Sequence, residues 1–223
     1  MVHEIIRSKI GLFLEAGVLT LLILIVGFSI GFFVEQNRLN HILEDYKNFE
    51  VEALDLKLQN YYYQIMDSAS CNEAIAQNLI FADKIYNQGL IIEKYEDAGE
   101  LLKSSLLIEK KKQVLQKTEL WLNSILLKKK CNNSFHTLVY LYTQTPNSAK
   151  EAEQAAISKV LKEVKTEFGN KIILIPIAGD LGLDSVDLQR KVYNITSLPS
   201  ILIDEKIALV GFQNKETIEN YLK

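Results

Sequence analysis

The chain contains few of the residues that mark redox, metal-binding and fibrous proteins. Its 223 residues include only two cysteines, three histidines, three prolines and ten glycines. So little glycine and proline excludes a collagen-like or low-complexity chain. Cys71 and Cys131 form no C-x-x-C pair, and His3, His41 and His136 are scattered, which argues against a zinc site. We therefore expect neither a bound metal nor another cofactor.

The chain also lacks an excess of charge of one sign. Its formal net charge is −3, and lysines are mixed with acidic residues along the helical stretches. The sequence has no basic stripe with interleaved aromatic residues, which is the usual footprint of a nucleic-acid surface. Nucleic acid is therefore not an expected partner.

One long segment has no charged residue at all. Ala16 to Val34 reads AGVLTLLILIVGFSIGFFV, and its 19 residues would form a helix roughly 28 Å long, close to the thickness of a bilayer's hydrocarbon core. A buried core helix normally keeps a polar side, which this segment lacks. We therefore predict a transmembrane helix at residues 16–34, after a short N-terminal tail at residues 1–15.

A cleaved signal peptide is the alternative to an uncleaved anchor. The apolar region of a signal peptide is usually shorter, about 7–15 residues, although Ser29 and Gly31 could form a weak cleavage site. The span has equal numbers of lysine and arginine residues close to its two ends, so the positive-inside rule does not decide its orientation. The short tail and the long C-terminal part favour a signal anchor, with the C-terminal part outside the cytoplasm.

An extracytoplasmic position would give the two cysteines a structural role. Cys71 and Cys131 lie 60 positions apart, one near the start and one at the end of a helical region. A small, even number of cysteines outside the cytoplasm favours one structural disulfide, whereas in the cytoplasm they would be two unrelated thiols. Such a bridge would tie the start of one helix to the end of another.

Helical patterns fill residues 35–131. Eight positions follow alternating steps of three and four, the heptad pattern of a coiled coil or an antiparallel helix pair: Leu39, Ile42, Tyr46, Phe49, Ala53, Leu56, Asn60 and Tyr63. With a break at Gly89 and a solvated helix end at LLKKKCNN, these patterns predict a stalk formed by a helical hairpin or three-helix bundle. The seam, and the Gly27-x-x-x-Gly31 pair in the span, are compatible with a homodimer.

From residue 135 the periodicity changes to that of an α/β domain, residues 135–223. FHTLVYLYT predicts a strand, and KIILIPIA predicts a central parallel strand. With three amphipathic segments and two strands in PSILIDEKIALVGF, the predicted order is β-α-β-α-β-β-α. Ser148, followed by Glu151, predicts the N-cap of the first of these helices and Gly169 its end, while Asp184 predicts the cap of the next helix.

This C-terminal part resembles the thioredoxin-like superfamily. The element order matches over residues 135–223, VYNITSLPSILID is similar to the family's cis-proline loop, and ALVGFQNKETIENYL is similar to its last strand and closing helix. The resemblance implies a cis bond between Leu198 and Pro199, since a proline at the start of an inner strand needs a special reason. The expected fold is an α/β thioredoxin-like C-terminal domain preceded by one transmembrane helix and a helical stalk.

By the same resemblance, Thr145, Pro146, Asn147 and Ser148 stand where the family has its C-x-x-C motif. Thr145 takes the place of the nucleophilic cysteine and Ser148 that of the resolving cysteine. A hydroxyl cannot carry out thiol–disulfide exchange, because that reaction needs a thiolate. Activation of Thr145 would need a base, and the segment contains no histidine. We therefore expect no catalytic residue at this turn.

The resemblance leaves a peptide-binding groove as the expected functional site. In the family, the turn and the cis-proline loop form a groove in which an extended peptide pairs with exposed backbone. The corresponding residues are Thr145, Pro146, Asn147, Ser148, Ser197, Leu198 and Pro199, with Tyr142 and Tyr193 nearby. The favoured interpretation is a membrane-anchored, redox-inactive protein-binding or assembly module. The alternative is a divergent thiol–disulfide oxidoreductase or isomerase that uses Cys71 and Cys131.

Overall fold

The computed structural model of the protein describes residues 2–65, 71–93, 100–132 and 135–223. It combines helices with one four-stranded mixed sheet. The chain divides into two compact units, Met1–Glu52 and Ala53–Lys223.

The first helix, α1, runs from Val2 to Ile65. Its segment Gly11–Asn37 is long and apolar enough to span a membrane, and none of it is buried inside the protein. The hydroxyls of Thr20 and Ser29 donate to carbonyl oxygens four residues earlier, each at 2.8 Å, so these polar groups are satisfied within the helix. The predicted span at residues 16–34 lies entirely inside this segment.

The heptad seam predicted along α1 falls mostly on side chains outside the described residues. Of its eight positions, only Ala53 has a described side chain, which is buried. Leu54, Leu58 and Tyr61 lie on another side of the helix and are largely exposed. The seam itself stays a prediction.

Two antiparallel helices follow, α2 from Cys71 to Glu93 and α3 from Glu100 to Lys130. A disulfide joins Cys71, the first residue of α2, to Cys131, which directly follows α3, with Cα atoms 5.7 Å apart. The predicted bridge is thereby confirmed. Further along the pair, the amide of Asn78 donates to Oγ of Ser124 at 3.0 Å in a buried contact between the two helices.

The predicted helix break at Gly89 is wrong, because α2 continues through this residue. A Cβ atom at Gly89 would lie 2.8 Å from Nε2 of Gln113 on α3. The glycine therefore leaves room for a side chain of the neighbouring helix and does not end its own.

The second unit contains a four-stranded sheet with the strand order β2-β1-β3-β4. Its strands are β1 His136–Tyr142, β2 Ile172–Ala178, β3 Ser200–Ile203 and β4 Ile207–Val210. β1 and β2 are parallel, whereas β3 runs antiparallel to both of its neighbours, β1 and β4. The order of helices and strands along the chain confirms the predicted β-α-β-α-β-β-α pattern.

Helices cover both faces of this sheet. On one face, α4 (Ser148–Phe168) and α6 (Lys215–Asn220) pack on alternate strand residues. This core consists of Leu138, Tyr140, Ile157, Leu161, Val164, Ile172, Ile201, Ile203, Ile218 and Leu222. Thr137 points to the opposite face, because successive strand residues alternate, and its hydroxyl contacts α3 there. The remaining helix, α5, spans Asp184–Val192.

The predicted N-caps of α4 and α5 are each wrong by one residue. Asn147 caps α4: its backbone is extended and its Oδ1 accepts a hydrogen bond from the amide of Lys150 at 3.0 Å, so Ser148 is the first helical residue. Leu183 precedes α5 without a side-chain cap, and Asp184 is the first residue of that helix. Gly169 ends α4 with a φ of 55°, as predicted.

Candidate functional site

The turn after β1 and the loop before β3 lie at the same end of the sheet. In the strand register, Leu141 is opposite Ser200 and Tyr142 is opposite Ala178. The chain enters the Thr145–Ser148 turn three residues after Tyr142, and the Ser197–Pro199 loop directly precedes Ser200. The sheet therefore brings the two predicted halves of the groove to the same end of its strands.

Side-chain hydrogen bonds to the backbone fix the start of the turn. The amide group of Gln154 on α4 engages both backbone groups of Thr143, accepting from its N–H at 2.7 Å and donating to its carbonyl at 3.2 Å. Oδ1 of Asp180, just beyond β2, accepts from the backbone N–H of Gln144 at 2.9 Å. The chain leading into the turn is thus tied to α4 and to the segment after β2, and Asn147 within the turn caps α4.

Two hydrogen bonds hold the loop before β3, one from the side chain of the first residue of β3 and one from the backbone just after β4. The bond between Leu198 and Pro199 is cis, which confirms the prediction. Oγ of Ser200 donates to the carbonyl of Ser197 at 2.6 Å, and the amide of Gly211 donates to the carbonyl of Pro199 at 2.9 Å. The carbonyl of Pro199 is therefore occupied.

Gly179 provides the space in which Leu198 lies. A Cβ atom at Gly179 would be 3.0 Å from Cδ1 of Leu198 and 3.7 Å from Cδ of Arg190. Nη1 of Arg190 donates to the carbonyl of Gly179 at 2.9 Å, and the Gly179 amide donates to the carbonyl of Tyr142 at 2.8 Å. The glycine therefore lets the loop, α5 and the end of β1 meet.

The residues predicted to line the groove differ in exposure. Thr145, Asn147, Ser148 and Ser197 are exposed, Pro146 and Leu198 are half-buried, and Pro199 is buried. Among the described residues, none donates a hydrogen bond to the backbone carbonyl of Leu198 or accepts one from its amide. This sheet end therefore offers hydroxyl groups together with the backbone donor and acceptor of Leu198.

The two tyrosines predicted near the groove each pack against another aromatic ring. Tyr142 stacks on Tyr140 with ring centroids 5.7 Å apart, and Tyr193 packs against Trp121 of α3 at 5.4 Å. Burial raises the pKa of Tyr193, and the nearby carboxylate of Glu205 raises it further. Both rings therefore have packing roles, and the phenol of Tyr193 is a poor acid or base at neutral pH.

A second polar site lies at the opposite end of β1, and the sequence did not predict it. Nζ of Lys128, near the end of α3, contacts Oδ1 of Asp204 at 2.6 Å, Oε2 of Glu205 at 2.9 Å and Oγ1 of Thr137 at 3.0 Å. Only 8% of the Lys128 side chain is exposed. The expectation that the lysine run is a solvated helix end is therefore wrong for Lys128, whose side chain is buried against β1 and the turn after β3.

Asp204 and Glu205 form the turn between β3 and β4, and both have positive φ angles, 50° and 58°. Asp204 also accepts from the amide of Thr137 at 3.0 Å and contacts Nδ1 of His136 at 2.6 Å. Glu205 accepts from Nε1 of Trp121 at 2.9 Å. Burial acts to raise the pKa of Asp204, but hydrogen bonds from Lys128, His136 and the Thr137 amide hold it below the usual value.

This ionic cluster fastens α3 to the sheet at the end away from the Thr145–Ser148 turn. A sequence signal existed, since Lys128 follows Trp121 by seven residues and so lies on the same side of α3. Among the described residues, no group of histidine, cysteine, aspartate and glutamate side chains is placed to hold a metal ion. No protein-family model and no curated protein matches the sequence.

Proposed function

We propose that the chain is a membrane-anchored, redox-inactive protein of thioredoxin-like fold that binds extended peptide segments outside the cytoplasm. One observation carries the proposal. The Thr145–Ser148 turn and the Ser197–Pro199 loop lie at the same end of the sheet, where the backbone of Leu198 has no hydrogen-bond partner among the described residues.

Topology supports the fold assignment. The order of elements along the chain, β-α-β-α-β-β-α, agrees with the order that the resemblance implies, and the strands form one mixed sheet in the order β2-β1-β3-β4. The closing helix α6 agrees with the resemblance as well.

The proposed mode of binding is strand addition. A peptide in extended conformation pairs its backbone with the amide and carbonyl of Leu198, and its side chains lie against the turn at Thr145 and Pro146. The hydroxyl groups of the exposed residues Thr145, Ser148 and Ser197 can each donate or accept a hydrogen bond. Such backbone pairing selects for extended conformation more than for one sequence.

The absence of thiols at the turn supports a binding role over an enzymatic one. The sequence has only two cysteines, and they are bonded to each other at the ends of α2 and α3. The alternative enzyme would have to work through this pair. Rapid exchange of the Cys71–Cys131 bridge with glutathione, or reduction of insulin by the purified chain, would replace the binding proposal with the enzymatic one.

The apolar segment Gly11–Asn37 and the disulfide support the proposed location, since disulfides persist in oxidising compartments. Protease added to intact cells should digest the C-terminal unit if it lies outside the cytoplasm. Protection of this unit in intact cells, with digestion only after lysis, would place it in the cytoplasm and contradict the proposal.

A peptide array tests the binding site directly. The full chain in detergent is applied to immobilised extended decapeptides, and the Ser197→Trp variant is compared with Lys159→Trp, a control at an exposed position on α4. Ser197→Trp should lose most of the bound signal because the indole fills the groove, whereas Lys159→Trp should keep it. Equal binding by both variants, or no binding by the parent chain, would refute the proposed groove.

A further inference from the structure

The turn after α5 exposes an asparagine and a threonine two residues apart. Asn194, Ile195 and Thr196 connect α5 to the loop before β3, and they match the acceptor pattern of N-linked glycosylation, N-x-S/T with no proline at the middle position. Asn194 and Thr196 are exposed, whereas Ile195 is only 4% exposed. The fold thus presents the two residues that define the pattern and buries the one between them.

Backbone hydrogen bonds form this turn without the side chain of Asn194. The amide of Ile195 donates to the carbonyl of Arg190 at 2.8 Å, and the amide of Asn194 donates to the carbonyl of Lys191 at 3.2 Å, which is the pairing of a Schellman cap. The cap requires a left-handed residue, and Asn194 has a φ of 54°, which asparagine tolerates. The carboxamide group of Asn194 therefore takes no part in the cap.

Thr196 has no corresponding structural role. Within the part of the chain that the structure describes, no hydrogen bond involves the side chain of Asn194 or that of Thr196. The helix cap accounts for an asparagine at position 194, but it does not account for a hydroxyl at position 196. The two side chains that N-linked glycosylation uses are thus both accessible.

We propose that Asn194 is a site of N-linked glycosylation. The donor is an oligosaccharide carried on a lipid diphosphate, and the partner is the membrane transferase that uses it. A bond forms between Nδ2 of Asn194 and the anomeric carbon of the first sugar, and the bond from that carbon to the phosphate oxygen breaks. The lipid diphosphate leaves with the electron pair of the broken bond, and the amide gives up one proton to a base of the transferase. The hydroxyl of Thr196 identifies the acceptor to the transferase.

The inference rests on the proposed location outside the cytoplasm, because acceptor patterns of this kind are used in exported chains. A second match begins at Asn132, but Asn133 and Ser134 lie outside the described residues. The proposal therefore concerns Asn194 alone. An attached glycan is bulky and hydrophilic, and the exposed turn has room for it on the solvent side.

Peptide mass analysis of the full chain, isolated from the membranes of its own host, tests the proposal. Trypsin cleaves after Lys191 and Lys206, and residues 192–206 contain no asparagine other than Asn194. In the parent chain this peptide should carry the mass of an oligosaccharide. An unmodified peptide from a chain that protease locates outside the cytoplasm would overturn the inference and leave the peptide-binding proposal standing. An unmodified peptide from a chain located in the cytoplasm would overturn both.

Two matched variants test the role of the threonine. Thr196→Ser keeps the hydroxyl and should keep the modified peptide, whereas Thr196→Val has nearly the same shape without the hydroxyl and should lose it. Thr196 is exposed, so both variants should fold as the parent does. A modified peptide from Thr196→Val, or loss of the modification from both variants, would contradict recognition of Asn194 through this hydroxyl.

Discussion

Because of the ionic cluster around Lys128, we predict that giving the turn between β3 and β4 the residues best suited to its backbone geometry should destabilise the protein. The two central residues of the turn between β3 and β4 both have positive φ angles, a geometry in which Asn-Gly is the favoured pair. Replacing Asp204 by Asn and Glu205 by Gly would remove a left-handed penalty of about 1–2 kcal/mol. By local rules alone, this double variant should be more stable than the parent.

The contacts of the two carboxylates lead us to expect the opposite, a loss of stability in the double variant. Both replaced carboxylates contact Nζ of Lys128, at 2.6 and 2.9 Å, and the lysine side chain is only 8% exposed. Leaving a buried charge without its partner costs about 3–5 kcal/mol, more than the turn gains. We expect a net loss of about 2–3 kcal/mol, which lowers the melting temperature of a unit of this size by roughly 5–10 °C.

Unfolding of the full chain can be followed through its single tryptophan, because Nε1 of Trp121 donates to Glu205 within the cluster. The matched control adds Lys128→Met to the double variant. Removal of the buried charge should then restore the stability of the parent or exceed it. A double variant as stable as the parent would show that the turn, and not the ionic contacts, governs this end of the sheet.

Three further predictions concern other contacts. The pKa of Asp204 is lowered in the folded protein, so its ionised carboxylate contributes its full stabilisation above about pH 3.9, the pKa of aspartate in an unfolded chain. This stabilisation is lost as the pH falls through the pKa of the folded state. Asp204→Asn should therefore flatten the acid end of a curve of stability against pH, and an unchanged curve would contradict this. Replacing Cys71 and Cys131 by Ser should lower the free energy of unfolding in denaturant by about 4 kcal/mol in the chain-entropy model, and a loss below about 1 kcal/mol would count against the bridge. Asn147→Ala should cost about 1 kcal/mol in the same titration and Ser148→Ala less than about 0.5 kcal/mol, whereas the reverse order would restore Ser148 as the cap.

The sequence predicted the elements whose causes are local. Runs of β-branched, aromatic and other apolar residues predicted the strands, Gly169 marked the end of α4, and the proline at 199 indicated the cis bond. The prediction that KIILIPIA forms a central strand is wrong, because β2 is parallel to β1 but lies at the edge of the sheet. The disulfide followed from the positions of two cysteines at helix ends. Each of these features depends on a short stretch of chain or on a rare residue type.

The features that sequence reasoning missed depend on distant partners. Lys128 looked like the solvated end of a helix, because its partners Asp204 and Glu205 lie 76 and 77 residues away. Gly89 looked like a break, because the side chain that approaches it belongs to another helix. The cap of α4 was misplaced by one residue because Asn147 and Ser148 are both good capping residues, and only the backbone geometry separates them.

The most direct test of the central claim is to place two cysteines in the Thr145–Ser148 turn and to measure disulfide reductase activity. If the turn and the Pro199 loop form a thioredoxin-like site without its thiols, the parent chain should not reduce insulin. The double variant Thr145→Cys, Ser148→Cys should then form a disulfide within the turn and gain measurable insulin reductase activity, because a helix N-terminus favours the thiolate. Reductase activity in the parent, or a double variant that forms no bridge between residues 145 and 148 and stays inactive, would contradict the claim.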